Sequence, residues 1–339
     1  MISVKFGTQG LDPVKWAAFV RDHPDGNIFQ SPELYKVYSE SGLYEPIVCF
    51  ALQGTVIQGV LMAVIHRQNN GFLGKFTARS IVIGGPLVLN QTVAEVLISE
   101  YDKSVKRKAI YTQFRNIFSV NSFLEVFKKA GYKYEEHLDI LMDLNQGTEA
   151  IWKAIHKNKK KEIKNGQKRG LIVKEAVIGD TENLTAIYRM LVILYNRIGL
   201  PVPPFVFFQK AYQILEPAGL LKTFLAQVDD KIIGFRMELT HKNLIYDWYA
   251  ASDNAYLSYR PNDVLPWAIF KWGIENKYAK FDFGGAGKPN LKYGVRDYKL
   301  KFGGELFNNG RFTKVHKKVF YLTGIMAMPV YKFIKNAKL

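Results

Sequence analysis

The segment 280–306 contains two glycine pairs, Gly284-Gly285 and Gly303-Gly304, with charged residues close to each. Asp282 and Lys288 flank the first pair and Lys299 precedes the second, and a lysine near glycines can bind or stabilise an anion. Gly287 followed by Lys288 suggests a loop that holds a nucleotide phosphate. The ATPase-type loop also needs a glycine five positions before Gly287 and a Ser or Thr directly after the lysine. The chain has Asp282 and Pro289 at those positions. An ATPase-type phosphate loop is therefore excluded.

The chain also lacks the motifs of metal-dependent enzymes and of serine hydrolases. The six histidines are scattered and none has a zinc-type partner at helical or loop spacing, so no metal site is predicted. The Gly-x-Ser-x-Gly elbow of serine hydrolases is absent. Cys49 is the single cysteine, which excludes an intramolecular disulfide. Its apolar surroundings, "PIVCFAL", predict a buried structural thiol rather than a nucleophile.

The charge balance indicates an anionic partner. The chain has 47 Lys and Arg against 30 Asp and Glu, a formal net charge of +17, which suits nucleic acid, a phosphorylated substrate or an anionic membrane. One predicted helix over 150–170 places six lysines on one broad face: Lys153, Lys157, Lys160, Lys161, Lys164 and Lys168. This face could bind phosphates, or the helix could be a solvated linker.

The apolar segments predict a cytoplasmic protein. No stretch reaches the ~20 apolar residues that a spanning helix needs, and the first residues lack the pattern of a signal peptide. The apolar run Val319–Val330 is flanked by lysines and is too short to span a bilayer. It could lie on an anionic bilayer at the inner face of the cell membrane, or pack as a terminal helix on the protein's own core.

An internal repeat predicts which elements position the candidate residues. Phe50–Leu61 and Phe224–Arg236 each read as a β-hairpin with a tight turn, and they align without gaps. Val93–Arg115 and Val264–Gly285 each read as an amphipathic helix followed by a short strand. In the second copy Asn262 is the expected N-cap of the helix. The aligned identities of the hairpins are Ala51 with Ala226, Ile57 with Ile232 and Gly59 with Gly234.

The same order of hairpin, helix and strand in both halves predicts two lobes of one α/β fold. A length of 339 residues also favours two cores over one. The predicted boundaries are 1–147 for the first lobe, 148–175 for a basic helical connection, 176–312 for the second lobe and 313–339 for a basic and apolar tail.

The order of motifs resembles the Fem-type peptidoglycan bridge aminoacyltransferases. The resemblance is strongest in "YDWYAAS", "RPNDVLPWAIFKWG", "FDFGG" and "YKLKFGGEL", and weaker in "NIFQSPELY", "GGPLVL" and "FKKAGY" of the first half. It implies two tandem GNAT-like acyltransferase lobes of the α/β (α+β) class, each a mixed, mostly antiparallel sheet flanked by helices. It also implies transfer from aminoacyl-tRNA to an amine of a lipid-linked or nucleotide-linked peptidoglycan precursor, without a cofactor.

The resemblance also assigns catalytic roles. In the family, the lysine of a Phe-Lys-x-x-Phe-Gly pattern stabilises the oxyanion that forms when an amine attacks an activated carbonyl. The matching segment Tyr298–Gly303 places Lys299 in this role. Spacing alone would make Lys299 a surface residue of a strand, with Lys301 on the same side, where it could hold a phosphate. Asp282 is a candidate for orienting or deprotonating the amine.

Further residues are predicted to bind substrate. Arg197 matches an arginine that contacts precursor phosphates, although it could equally cap a helix. Tyr249 matches a tyrosine of the acceptor cleft, although a core aromatic would look the same. Arg260 could bind a phosphate through its side chain. The remaining predicted substrate-binding residues are Asn262, Gly284, Gly285 and Tyr298, of which the glycines could serve only a sharp turn.

Alternatives remain open for the acceptor and for the donor. Around "IGGPLVLN" the family has a basic residue before Gly85-Pro86 and an acidic one shortly after, where this chain has Gly84 and Asn90. A polysaccharide or another amine-bearing glycolipid is therefore allowed as acceptor. An acetyl-CoA-dependent N-acyltransferase is the nearest alternative, but no glycine lies between Tyr259 and Trp267 to form its pyrophosphate turn. A non-catalytic basic protein that binds RNA or membranes is the third reading.

Overall fold

The computed structural model of the protein describes residues 1–42, 44–67, 77–176 and 181–323. It divides into two compact units, Met1–Glu136 with Asn309–Leu339, and His137–Asn308. Each unit is built on one mixed, mainly antiparallel sheet flanked by helices. The predicted fold class of two α/β lobes is confirmed.

The first unit holds a sheet with one parallel pair among its described strands. Its elements are β1 (Ser3–Phe6), α1 (Pro13–Asp22), α2 (Pro32–Glu40), β2 (Glu45–Gln53), β3 (Val56–His66), β4 (Arg79–Ile83), β5 (Leu87–Val88), α3 (Gln91–Val105), β6 (Tyr111–Arg115), α4 (Leu124–Lys129), β7 (Lys133–Glu135) and, late in the chain, β15 (Arg311–Val315). The strand order is β1-β2-β3-β4-β6-β15-β7, with β5 paired to β3. The parallel pair is β4 with β6.

The second unit repeats this arrangement. Its elements are β8 (Leu138–Asp143), α5 (Gly147–Ala154), α6 (Lys157–Lys168), β9 (Ile172–Ala176), α7 (Thr181–Arg197), α8 (Phe205–Leu215), β10 (Leu221–Val228), β11 (Lys231–His241), β12 (Leu244–Ser252), α9 (Pro261–Glu275), β13 (Lys280–Gly287), α10 (Gly294–Leu300) and β14 (Glu305–Asn308). The strand order is β14-β8-β13-β12-β11-β10-β9. Its parallel pair is β12 with β13.

The unit boundaries differ from the predicted ones because two strands and two helices belong to other parts of the fold than predicted. β8, placed in the first lobe by the sequence, pairs with β13 and β14 and so belongs to the second sheet. β15 runs into the predicted tail, but it lies between β6 and β7 in the first sheet. α5 and α6 are part of the second unit rather than a separate connection.

The repeated hairpins agree in register as well as in order. Ala51 pairs with Gly59 in the β2–β3 hairpin, and Ala226 pairs with Gly234 in the β10–β11 hairpin. In both hairpins the register shifts directly after this pair. The predicted helix and strand that follow are also present, as α3 with β6 and α9 with β13. The internal repeat is therefore structural.

The aligned glycines explain part of this agreement. A Cβ on Gly59 would lie 2.9 Å from the side chain of Val93 in the first turn of α3. A Cβ on Gly234 would lie 3.1 Å from Pro261, the first residue of α9. In both units, the missing side chain lets the start of the next helix pack closely on the hairpin.

Three predicted local structures are wrong. The segment from Tyr298 is not a strand: Tyr298 and Lys299 lie at the end of helix α10, and Phe302 lies in the turn that follows, with its ring centroid 5.4 Å from that of Tyr298. Tyr298, Leu300 and Phe302 alternate with two lysines as in a strand, but so short a run does not distinguish a strand from a helical turn. Asn262 is not the N-cap of α9, since Arg260 occupies that position with a φ of 61°.

The third is the lysine-rich helix predicted over 150–170, which is broken into α5 and α6. The break falls at Ile155, whose backbone is extended, and its side chain is buried. His156 then caps α6, because its Nδ1 accepts a hydrogen bond from the N–H of Asn158 at 3.2 Å. The six lysines consequently do not form one continuous face.

The described residues include no helix with the length and apolar character needed to cross a bilayer. The predicted membrane-surface run Val319–Val330 lies mostly outside the described residues. Within them, 318–323 is helical and Val319 and Leu322 are exposed. The ring of Tyr321 packs edge-on against Tyr111, with centroids 5.4 Å apart.

Candidate active site

The parallel strands β12 and β13 separate in the middle of the second sheet. They pair only where Leu244–Tyr246 faces Lys280–Asp282. Gly284 follows with a φ of 68°, a conformation that favours glycine. β13 continues its irregular pairing with β8 on its other side. The backbone carbonyls that follow Asp282 are therefore not hydrogen-bonded to β12, and a side chain can reach them.

Lys299 fills this position from α10. Its ammonium donates to the carbonyl of Phe283 at 2.5 Å, to that of Gly285 at 3.0 Å and to that of Gly284 at 3.4 Å. An ammonium has three donors, so these three carbonyls match its full capacity. The side chain is half-buried, and the charge is held in place by the main chain of β13.

A buried carboxyl adjoins this lysine. Asp282 is 2% exposed and accepts the N–H of Gly284 at 2.7 Å. Burial, reinforced by the charge of Asp139, raises the pKa of Asp282 to about 7. Burial lowers the pKa of Lys299, while Asp247 opposes that shift. Asp282 is therefore partly ionised near neutral pH, beside a lysine whose charged form is disfavoured by burial.

Three further charged residues, missed by the sequence reasoning, lie beneath the site on β11 and β12. Arg236 donates to the Asp247 carboxylate at 2.5 Å, and the two side chains are 7% and 13% exposed. Glu238 is fully buried, and neither of its carboxylate oxygens has a hydrogen-bond partner among the described residues. Burial raises the pKa of Glu238 well above its usual range. The second sheet therefore carries a buried ion pair and a buried carboxyl rather than a purely apolar face.

A second set of contacts joins α6, α9 and α10 next to Lys299. The hydroxyl of Tyr298 donates to the carbonyl of Asn262. Lys159 forms an ion pair with Asp263, with side chains 12% and 11% exposed. Its ammonium also lies 4.0 Å from the centroid of the Tyr298 ring. These contacts fix the helix that presents Lys299.

The other predicted residues lie on the surface or in the core. Arg260 is exposed and pairs with Glu162 at 2.5 Å. Arg197, at the end of α7, is exposed and donates to the side chain of Asn254 at 2.7 Å. Tyr249 packs edge-on against Phe208, with ring centroids 5.0 Å apart. The side chain of Lys301 is exposed, and its carbonyl accepts the N–H of His156 at 2.9 Å.

The structure thus brings Lys299, Asp282, Gly284 and Gly285 together, with Tyr298 and Asn262 adjoining them. A signal for the missed residues was present in the sequence. Arg236 and Glu238 alternate with apolar residues in "GFRMELTH", and Asp247 lies in "IYDWYA". Alternation normally marks a solvated face, so burial of these charges is not readable without the sheet order. Among the described residues, no three His, Cys, Asp or Glu side chains are grouped to hold a metal ion.

Comparison with known proteins identifies the fold. Residues 153–300 match the family model described as an acetyltransferase (GNAT) domain. The crystal structure of FemX is similar with a TM-score of 0.72 and 15% sequence identity, covering 98% of this chain and 100% of that one. No curated protein matches the chain by sequence.

Two further solved structures have the same architecture. The C-terminal domain of a proposed lysylphosphatidylglycerol synthetase from Agrobacterium fabrum gives a TM-score of 0.61 at 14% identity, covering 94% of this chain and 97% of that one. A tandem GNAT protein from the clavulanic acid biosynthesis pathway gives 0.60 at 9% identity, covering 93% and 99%. The predicted tandem GNAT architecture is confirmed, and the resemblance to Fem-type proteins holds at the level of the fold.

Proposed function

We propose that this protein is an aminoacyltransferase. It moves an aminoacyl group from the ester of a charged tRNA to an amine of a peptidoglycan precursor or a related lipid-linked acceptor. The observation that carries the proposal is the Lys299 ammonium, held by the carbonyls of Phe283, Gly284 and Gly285 where β12 and β13 separate. The fold shared with FemX and the GNAT match over 153–300 support it.

Lys299 suits the charge that develops during aminoacyl transfer. A neutral amine attacks the ester carbonyl, a C–N bond forms, and the carbonyl oxygen becomes an oxyanion before the C–O bond to the ribose breaks. A fixed cation beside that oxygen is the principal device for lowering such a barrier. The contact of Lys299 with Gly284, at 3.4 Å, is the longest of its three. We propose that this donor turns to the oxyanion while the other two hold the ammonium in place.

Asp282 suits the proton that the attacking amine must lose. A carboxyl with a pKa of about 7 is partly ionised at neutral pH and matches the range of an effective general base. The N–H of Gly284 holds one of its oxygens, so its orientation is fixed. In the proposed mechanism Asp282 takes the proton, and the departing ribose oxygen receives it when the C–O bond breaks.

The start of α9 argues against acyl-CoA as the donor. A pyrophosphate binds at a helix N-terminus through free N–H groups and a positive end. Here Pro261 supplies no N–H, and the N–H of Asp263 is already bonded to the carbonyl of Arg260. A Cβ on Gly166 of α6 would lie 2.5 Å from the carbonyl of Tyr259. Helix α6 therefore covers the turn where a CoA pyrophosphate would have to sit.

A transfer assay tests the proposal directly. The purified protein is incubated with a mixture of charged tRNAs and a lipid-linked peptidoglycan precursor, and products are identified by mass spectrometry. The expected product is the precursor carrying one added amino acid. A parallel reaction replaces charged tRNA with acetyl-CoA. Product from acetyl-CoA and none from charged tRNA would show that the proposed donor is wrong, as would a rise in melting temperature with micromolar acetyl-CoA alone.

A further inference from the structure

Four lysines of α6 form a straight row on its exposed side. We call Lys157, Lys161, Lys164 and Lys168 the lysine row. At 100° per residue their side chains point within about 60° of one another, and they span about 16 Å along the helix. All four are exposed. The six-lysine face predicted from the sequence thus becomes a narrower and more regular feature.

The charge of the lysine row is not neutralised by the protein. Glu162, the acidic residue of α6, pairs with Arg260, and no ion pair joins any of the four lysines to a carboxylate in the part of the chain that the structure describes. Four exposed lysines on other helices differ, since each lies within 3.7 Å of a carboxylate: Lys36, Lys103, Lys128 and Lys129. Lys15 of α1 and Lys153 of α5 are exposed without an ion pair among the described residues, but each is a single lysine rather than part of a row. The row is therefore a local concentration of uncompensated positive charge.

The surroundings of the row favour a nucleic acid over a membrane. A helix that lies on a bilayer inserts apolar side chains beside its lysines. The apolar residue of α6, Ile163, is fully buried, so the helix exposes no large apolar side chain of its own, and the exposed Ile172 lies in β9 beyond its end. A phosphate backbone needs only a row of cations along its path, and four lysines at intervals of three or four residues provide one.

The opposite side of α6 contacts the candidate active site. Lys159 pairs with Asp263 and lies over the ring of Tyr298, the neighbour of Lys299. The lysine row and Tyr298 consequently lie on opposite sides of α6, separated by at least one helix diameter, on the order of 10–12 Å. A nucleic acid strand lying along the row can reach around α6 with its end to the carbonyls that hold Lys299.

We infer that the lysine row docks the phosphate backbone of an RNA substrate. That this RNA is the charged tRNA rests on the proposed function. Each lysine that neutralises a phosphate releases a counterion, which makes binding salt-dependent. With slopes of about 0.7 to 0.9 per contact, removing four contacts should flatten the plot of log affinity against log salt by about 3 to 4. At 0.1 M salt the affinity should fall by up to about 10³-fold.

The test replaces all four lysines by glutamine in the full-length chain. The probe is an RNA hairpin of acceptor-stem length that carries no aminoacyl group and has a single-stranded 3′ end. Binding is titrated at several salt concentrations. A matched control replaces Lys36, Lys103, Lys128 and Lys129 by glutamine, which removes the same net charge. The expected result is a flattened salt dependence and weakened binding in the row variant, and wild-type behaviour in the control. Circular dichroism and melting curves verify that both variants are folded.

Other outcomes overturn the inference. Equal weakening in both variants would show that only net charge matters, and an unchanged salt slope would show that the row does not touch the RNA. Loss of binding to phosphatidylglycerol vesicles with RNA binding retained would assign the row to a membrane. If charged tRNA supports transfer but the row variant keeps its KM for tRNA, the inference fails and the proposed function stands. If RNA binding needs the row but no charged tRNA supports transfer, the proposed function fails instead.

Discussion

Replacing Lys299 by methionine isolates the role of its ammonium. The substitution keeps a long unbranched side chain and removes the charge and all three donors to the carbonyls of Phe283, Gly284 and Gly285. Loss of one oxyanion donor typically lowers kcat by about 10²–10³-fold, or ~3–4 kcal/mol. Because the donor acts on charge that appears only in the transition state, KM for both substrates should change little.

The same substitution should cost little stability. The three carbonyls lose a donor, which would cost ~1–3 kcal/mol if they stayed dry. Lys299 is only half-buried, so water can replace part of its contacts. Removing an ammonium whose pKa is lowered by burial also relieves a desolvation cost. We therefore expect the melting temperature to fall by no more than a few degrees.

Single-turnover transfer from charged tRNA measures the effect on chemistry. Lys292→Met, an exposed lysine in the preceding loop, is the matched control and should retain the wild-type rate. The wild-type rate should also fall at high pH as Lys299 loses its proton, earlier than for an ordinary lysine because its pKa is lowered. Near-normal kcat in Lys299→Met, or an equal loss in Lys292→Met, would refute the assignment.

Three further predictions concern the buried charges. The pKa of Asp282 is raised to about 7 on folding, so its contribution to the free energy of unfolding is fully present below pH 4 and is lost as the pH rises to 7. Between pH 5 and 8 the free energy of unfolding should therefore decline by about 3 kcal/mol because of this group. Asp282→Asn should remove that decline, measured by urea unfolding. Lys159→Met leaves the buried carboxylate of Asp263 without its ion-pair partner and should lower the free energy of unfolding by ~3–5 kcal/mol. The double variant Lys159→Met/Asp263→Asn should recover most of this loss, as a double-mutant cycle would show. Glu238 has no hydrogen-bond partner among the described residues, so Glu238→Leu should raise the urea midpoint by the equivalent of ~1–3 kcal/mol, and a lowered midpoint would contradict this.

The fold was largely predictable because its signals are local. Alternating apolar runs joined by two-residue turns identify the hairpins, and helical spacing identifies α3 and α9. The strand predicted for the segment 298–306 is wrong at its start, because the alternation of apolar and charged residues there is too short to distinguish a strand from a helical turn. The boundaries were missed because β8 and β15 pair with strands far away in sequence, and no local pattern records such pairing.

The candidate site was only partly predictable for the same reason. Lys299, Asp282 and the glycines are close in sequence, and the resemblance to a family grouped them. Arg236 and Asp247 come from two other strands, and their contact depends on the order of β11, β12 and β13 in the sheet. A charged residue within an alternating strand predicts a solvated face, so burial of the pair could not be expected from sequence.

The internal repeat supports the proposal that these buried polar groups serve the candidate site rather than the fold. Because Gly59 and Gly234 occupy the same register position, Leu61 and Ala63 in the first unit correspond to Arg236 and Glu238 in the second. The first-unit pair is fully buried in an apolar core, so this architecture is stable without charges there. Burying an arginine and a glutamate costs free energy that apolar residues would not. The second unit bears that cost beside the position where Lys299 meets β13, which supports the proposal that this unit carries the chemistry.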